Sequence, residues 1–290
     1  MLCDITMKKE KEELKTVTDG GLVRQELVNT PGEGFVFGLY SAEDIRVGDV
    51  VLMADTLVAT GVTDAHGDLA FAGQFPHGEY LIRELAAPKR WKLSEKTYPV
   101  SLKPENAVAN IIRAELPEAI HNELVYGTIT LSKTDITGRE TLPGALIEVR
   151  DEHRNVVYRA YTDEHGEIPD IPVTPGRYTF RELLAPEGYA LSEAVMTFEV
   201  DERGQVTGDH VIRDDYTRVC IRKQDESGEP LNGVEFGLFA ENGVQVQTAL
   251  TDESGLVVFE RIPYGEYDIR ETRNLWTMSF RNGCREHSAR

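Results

Sequence analysis

Cysteine is scarce in this chain of 290 residues. The three present, Cys3, Cys220 and Cys284, are odd in number and scattered, with no CxxC pair. That excludes a disulfide framework or a cysteine zinc site as the basis of the fold. Basic residues are also in short supply: 31 Lys and Arg face 50 Asp and Glu, for a net charge of −19. Such a balance argues against nucleic acid or an anionic membrane as partner and describes a well-solvated surface. No apolar run approaches a membrane span, so no membrane insertion is expected. The opening "MLCDITMKKEKEELK" has no apolar h-region and is not a secretory signal as it stands; residues 1–14 read as a charged N-terminal tail. Only two tryptophans occur, Trp91 and Trp276, with no visible aromatic cluster around them. Helical periodicity is missing too, apart from a weak hint in the N-terminal segment.

What the chain does have is a repeat. "YLIRELAAP" (Tyr80–Pro88) recurs as "YTFRELLAP" (Tyr178–Pro186) and as "YDIRET" (Tyr267–Thr272). Upstream, "TDAHGDLAF", "TDEHGEIPD" and "TDESGLVVF" start at Thr63, Thr162 and Thr251. Each copy also carries "PHGEY", "TPGRY" or "PYGEY" and an earlier run "GFVFGLY", "GALIEVR" or "GVEFGLF". A period of roughly 90–100 residues suits a complete small domain and is too long for a solenoid unit. Short alternating runs of Val, Ile, Phe and Tyr, separated by Asp/Gly/Pro turns, make each unit an all-β sandwich. Boundaries fall near Asn122–Gly127 and Asp214–Arg218, each without Gly/Ser slack, which favours a semi-rigid string of beads.

Strand phase then raises a chemical question. Side chains alternate between strand faces, so Glu84 is in phase with Tyr80 and Ile82, on the apolar side. The same holds for Glu182 and Glu271 in the other copies. In "GTITLSKTD", Lys133 is in phase with Ile129 and Leu131; in "RVCIRKQD", Lys223 is in phase with Val219 and Ile221. In "HVIRDD", Asp214 is in phase with Ile212, and in "AIHN", Asn122 with Ile120. Unit two thus offers an inward Lys, Glu and Asp on three strands. A buried ion pair that fixes strand register is one reading of these residues; the recurrence of Glu in one strand slot and Lys in another favours a chemical role.

The ordered pattern K-x-D, LPGA, PG-x-Y-x-x-x-E and AP-x-GY resembles the SpaA-type, collagen-adhesin B-type (Cna-B, prealbumin-like) domains of Gram-positive surface adhesins and pilins. The resemblance runs from Val17 to Thr272, as two fairly complete units and one incomplete one. It implies tandem prealbumin-like (Ig-like) β-sandwiches over residues 15–125, 126–215 and 216–290, the last truncated with an aberrant tail. It also implies an intramolecular isopeptide bond between the first-strand Lys and an Asn or Asp of the last strand, assisted by a core Glu. Burial lowers the pKa of a lysine and raises that of a carboxyl, so amine and acid meet as neutral species. Residue by residue, Lys133 matches the nucleophile, Glu182 the catalyst and Asp214 the acceptor, with Asp215 as the alternative acceptor. In unit one Glu84 and Asn122 match; Lys15 in "ELKTVTD" is the candidate nucleophile, while Arg24 stands at the shorter spacing and cannot react this way. In unit three Lys223 and Glu271 are expected to be unpaired remnants, since Asn274 and Asn282 follow too soon to be acceptors.

Other signals carry less. "PGEGFVFG" is not GxGxxG, "TLPGA" lacks the context of a sortase signal, "TYPV" is a fragment of a pilin motif, and His66 and His165 lack metal-ligand partners; no metal or cofactor is expected. Ser41–Thr60 is an insertion relative to the other units. The expected function is a structural stalk or adhesin module on a bacterial surface; the alternative is a sandwich that binds carbohydrate or host protein. No enzyme activity beyond one self-reaction per domain is expected. The resemblance implies secretion and attachment to the cell wall. It also implies partners among host extracellular-matrix or other cell-surface proteins and the neighbouring domains of a longer protein. The chain itself is expected to be a fragment or a truncated gene product.

Overall fold

The structure, a computed structural model, describes residues 2–103, 111–263 and 265–273. Unit one begins with β1 (Leu2–Asp19), β2 (Leu22–Pro31) and β3 (Val36–Ser41). A small hairpin of β4 (Ile45–Val47) and β5 (Val50–Leu52) accounts for the insertion after Ser41. Then come β6 (Leu57–Val62), β7 (Asp68–Gln74), β8 (Gly78–Ala86), β9 (Thr97–Leu102), β10 (Ile111–Glu115) and β11 (Ile120–Asn122). Unit two comprises β12 (Gly127–Asp135), β13 (Leu146–Asp151), β14 (Val156–Tyr161) and β15 (Glu167–Val173). It continues with β16 (Gly176–Leu184), β17 (Val195–Val200), β18 (Val206–Gly208) and β19 (Val211–Asp214). Unit three holds β20 (Arg218–Arg222), β21 (Glu235–Ala240), β22 (Gln245–Leu250), β23 (Leu256–Glu260) and β24 (Tyr267–Arg273).

Each unit is two sheets face to face. In unit two, β15-β12-β19 packs on β14-β13-β16-β17-β18. The inner faces supply Leu131, Ile147, Val149, Ile171, Phe180 and Ile212, all essentially buried. Strict alternation builds this core, every second residue of β12 being buried from Gly127 to Asp135. Units one and three repeat the plan with β6-β3-β8-β9 and β22-β21-β24 as one sheet, while the other holds β1 in unit one and the pair β20-β23 in unit three.

The repeated motifs have visible mechanical reasons. Tyr80, Tyr178 and Tyr267 each donate the phenol to the carbonyl four residues back, at Pro76, Thr174 and Pro263, and so fix the turn entering the strand. Thr63, Thr162 and Thr251 are buried, and each hydroxyl donates to the loop that leads into β3, β13 or β21, at Gly32, Leu142 and Leu231. Asp64, Asp163 and Asp252 accept backbone N–H bonds within their turns.

One expectation is overturned at the start. Of the expected tail, residues 2–14 belong to β1, with Ile5 and Met7 in the core of unit one. β1 pairs antiparallel with β7 and parallel with β10 and β11, so its backbone is satisfied on both edges; Lys8 and Glu10 are exposed while Lys9 between them is buried. The helical hint and the assignment of Cys3 to a tail fall with it.

Candidate functional site

The site in unit two is built from three strands on two facing sheets. β12 carries Lys133, β19 carries Asp214, and the opposing β16 carries Glu182. β12 and β19 run parallel with Lys133 opposite Ile212 and Asp135 opposite Asp214, so the lysine reaches along the strand to the next inward residue. All three side chains are 0% exposed. Lys133 Nζ contacts Asp214 Oδ1 and lies 3.6 Å from Glu182 Oε1. Glu182 Oε2 accepts the Ser192 N–H at 2.9 Å, which aims the other oxygen at the lysine. Asp215, by contrast, turns outward and pairs with Arg218, so Asp214 is the inward acidic residue.

Burial dominates the electrostatics. It pushes the Glu182 carboxyl up to about 7, against the Ser192 hydrogen bond and the Lys133 charge and with the neighbouring Asp214 charge adding to the rise. Burial also raises Asp214, opposed by Lys133. Two carboxyls side by side in an apolar core favour protonated, uncharged forms over two full negative charges.

The backbone of Lys133 is held by the TDEHG turn. Its N–H donates to Gly166 O at 2.8 Å and its carbonyl accepts from Leu142 at 2.8 Å. The same pair of bonds brackets Lys223, from Gly255 and Leu231, and in unit one it brackets Lys9, from Gly67 and Gly32. Lys9 is therefore the counterpart of Lys133, and this corrects the expectation for unit one. Lys15 lies further along β1, exposed and opposite Glu26 of β2. Lys9 is buried, opposite Ile120 in the register that Lys133 has with Ile212.

Unit one has a second constellation, in a different state of hydrogen bonding. Lys9 Nζ donates to Ile120 O at 3.1 Å and to Glu10 O, and lies 4.3 Å from the centre of the Phe35 ring. Burial lowers its pKa to about 8, against the pull of Glu84 and Glu10. Asn122 Nδ2 donates to Glu84 Oε1 at 2.6 Å and to Lys92 O at 2.7 Å, which fixes the amide orientation. Burial raises Glu84, opposed by the Asn122 hydrogen bond and Lys9.

In unit three Lys223 and Glu271 are not unpaired: Nζ meets Oε2 at 3.1 Å, with side chains 34% and 29% exposed. Among the described residues no strand pairs with β20 on the edge that β11 and β19 occupy in the other units. Asn274 and Asn282 lie outside the described residues.

Three tandem sandwiches with one motif set and one strand plan are matched by a single family. The family model of the SpaA prealbumin-like fold domain matches residues 28–114, 127–213 and 217–278. The chain belongs to this family. Among curated relatives, the serine-aspartate repeat-containing protein C of Staphylococcus aureus (strain Newman) is 20% identical over 265 residues, covering 79% of this chain. The chain spans 28% of that relative's length. Among solved structures, the Bacillus anthracis TIE protein aligns with a TM-score of 0.51 at 24% identity, covering 94% of this chain and 45% of that one. The shaft pilin spaA from Lactobacillus rhamnosus GG aligns at 15% identity with a TM-score of 0.30, over 75% of this chain and 98% of the pilin. The likeness to the Bacillus anthracis TIE protein supports the fold.

Proposed function

We propose that the chain is a structural segment of a Gram-positive surface stalk or pilus-like protein whose first two units cross-link themselves. The observation that carries the reading is the burial of Lys133, Glu182 and Asp214 in one apolar core. As an ion cluster that arrangement is costly; as an amide it loses two ionisable groups. Neutral Lys133 Nζ attacks Asp214 Cγ, the C–N bond forms and the C–OH bond breaks. The amine proton leaves with the hydroxyl as water, and protonated Glu182 relays the proton without being consumed. In unit one the same attack by Lys9 on Asn122 expels ammonia, and Glu84 already holds the departing Nδ2.

The two bonds would tie the first strand of a unit to its last strand, beside the exit to the next unit. Tension entering at β1 would pass through Lys9 and Asn122 into Gly127 and on through Lys133 and Asp214, leaving the rest of each sandwich unloaded. That suits a surface stalk, and by the same reading its place is the cell wall and its partners are surface or matrix proteins. Intact-mass measurement of the folded chain tests it. One water and one ammonia should be missing, and Glu182→Ala should restore the water. A well-folded chain at full mass would leave the buried ion cluster as the better reading.

A further inference from the structure

The loop that follows the site lysine is short in two units and long in one. The carbonyl of Lys133 is met by Leu142 and that of Lys223 by Leu231, but that of Lys9 by Gly32. The extra chain is a regular hairpin, β1 pairing with β2 from Glu10–Pro31 to Asp19–Leu22. Its tip is a two-residue turn, Gly20 and Gly21, both in the left-handed region at φ of 55° and 85°. That geometry matches the strand twist, and only glycine adopts it freely at both positions.

This hairpin leaves its own sandwich and lies on the next one. Val23 pairs with Arg159, which joins β2 to the outer edge of β14 and makes β10-β1-β2-β14-β13-β16-β17-β18 one continuous sheet across two units. Val23 is buried there. Gln25 Nε2 donates to Val157 O at 3.1 Å, and Arg159 Nη1 donates to Gly21 O at 3.1 Å. The Arg159 guanidinium is itself held by Glu148, a carboxylate only 1% exposed that also binds Arg150 and Arg181. The base of the hairpin is tied to the loop between β8 and β9 and to the linker. Trp91 Nε1 donates to Glu12 O at 2.7 Å and the Leu124 N–H to Glu12 Oε2 at 3.0 Å.

From these contacts we infer that the β1–β2 hairpin is an inter-unit splint. β14 is the strand by which it adds to unit two, and the pairing fixes the angle between units one and two independently of any cross-link. β6 and β22, the equivalent strands, end their sheets with Leu57, Val62, Val246 and Leu250 exposed, whereas β14 is met by β2 at Arg159. A covered edge cannot recruit a foreign strand. The splint lies between Lys9 and Gly32, off the path that the proposed cross-links would carry, so it resists bending and takes no tension.

Residual dipolar couplings on the full chain test the splint. Amides of units one and two should fit a single alignment tensor in the parent protein. Replacing Glu13–Val28 with Asn-Gly keeps Glu12 and Asn29 as the closing pair and removes the tip; the two units should then need separate tensors. At the same time, the β14 amides that point away from β13 should lose their hydrogen-exchange protection while β13 and β16 keep theirs. Should the shortened chain fail to fold, the double variant Gln25→Ala, Arg159→Ala supplies the same comparison. Separate tensors in the parent protein, or one shared tensor in the folded variant, would overturn the inference.

Discussion

Gly166 sits against the backbone of Lys133, so close that a Cβ on it would lie 2.8 Å from Lys133 O and 2.7 Å from Leu142 N. Its own φ of 73° is in the left-handed region. Gly67 and Gly255 stand in the same relation to Lys9 and Lys223. The glycine of each TD-x-x-G turn is thus the floor on which the site lysine rests.

Gly166→Ala should therefore do more than strain one turn. The left-handed conformation alone costs an alanine about 1–2 kcal/mol, and the contacts with Lys133 and Leu142 backbone add to it. Gly144→Ala is the control: its φ is 82° but nothing lies within 4 Å of its added Cβ. Thermal unfolding should show Gly166→Ala to be clearly the more harmful of the two, with slower water loss on refolding. Equal destabilisation by both would mean that the contact does not matter.

Lys9 and Lys15 can be separated by mass. Lys9→Met should restore the ammonia missing from unit one, and Lys15→Ala should leave it missing. Loss of a cross-link closing more than a hundred residues should cost unit one on the order of 4 kcal/mol, by analogy with a long-loop disulfide. A Lys9→Met chain that still lacks one ammonia would remove Lys9 from the reaction.

The sandwich class, the repeat and the two glutamates are legible in the sequence because alternation and turn chemistry are local. Lys133 and Asp214 are legible for the same reason. Lys9 is hidden by its neighbours. "MKKEKEELK" is so polar that Ile5, Met7 and Lys9 do not stand out as one strand face, and the hairpin separates Lys9 from "PGEGFV", the segment that corresponds to "TLPGAL". Aligning those two segments and stepping back across the hairpin to the first lysine in phase with apolar residues finds it. The pairing of Val23 with Arg159 is beyond sequence reading, because register between two units is set by their docking and not by either strand's pattern.

Removing the amine should reverse the usual acid sensitivity of unit two. In Lys133→Met, Glu182 and Asp214 remain in the core with no cation, and both are already raised above their ordinary values of 4.5 and 3.8 with Lys133 present. Groups raised in the folded state bind more protons there than in the unfolded chain. Their contribution is thus complete below about pH 4 and lost as pH rises through their folded values. A shift of Glu182 from 4.5 to about 7 alone corresponds to about 3 kcal/mol. The variant should melt at a higher temperature at pH 5 than at pH 8. A melting temperature that is flat or rising over that range would show that the two carboxyls are not held neutral.

Unit three offers the contrasting case, with the same two residue types in a looser setting. Lys223 and Glu271 meet at 3.1 Å, yet each keeps about a third of its side chain in contact with solvent. Hydration already satisfies much of both charges, so the pair gains little from its contact and loses little when broken. Exposed pairs of this kind are worth roughly 0–1 kcal/mol. Lys223→Ala should accordingly lower the intact mass only by the side-chain atoms removed, with no water or ammonia regained, and should change the stability of unit three by no more than that small amount, measured by hydrogen exchange in β20 and β23. The matching change in unit two, Lys133→Ala, should restore one water and lower the protection of β12 and β15 strongly. If Lys223→Ala opened β20 as far as Lys133→Ala opens β12, burial would not be what distinguishes the two sites.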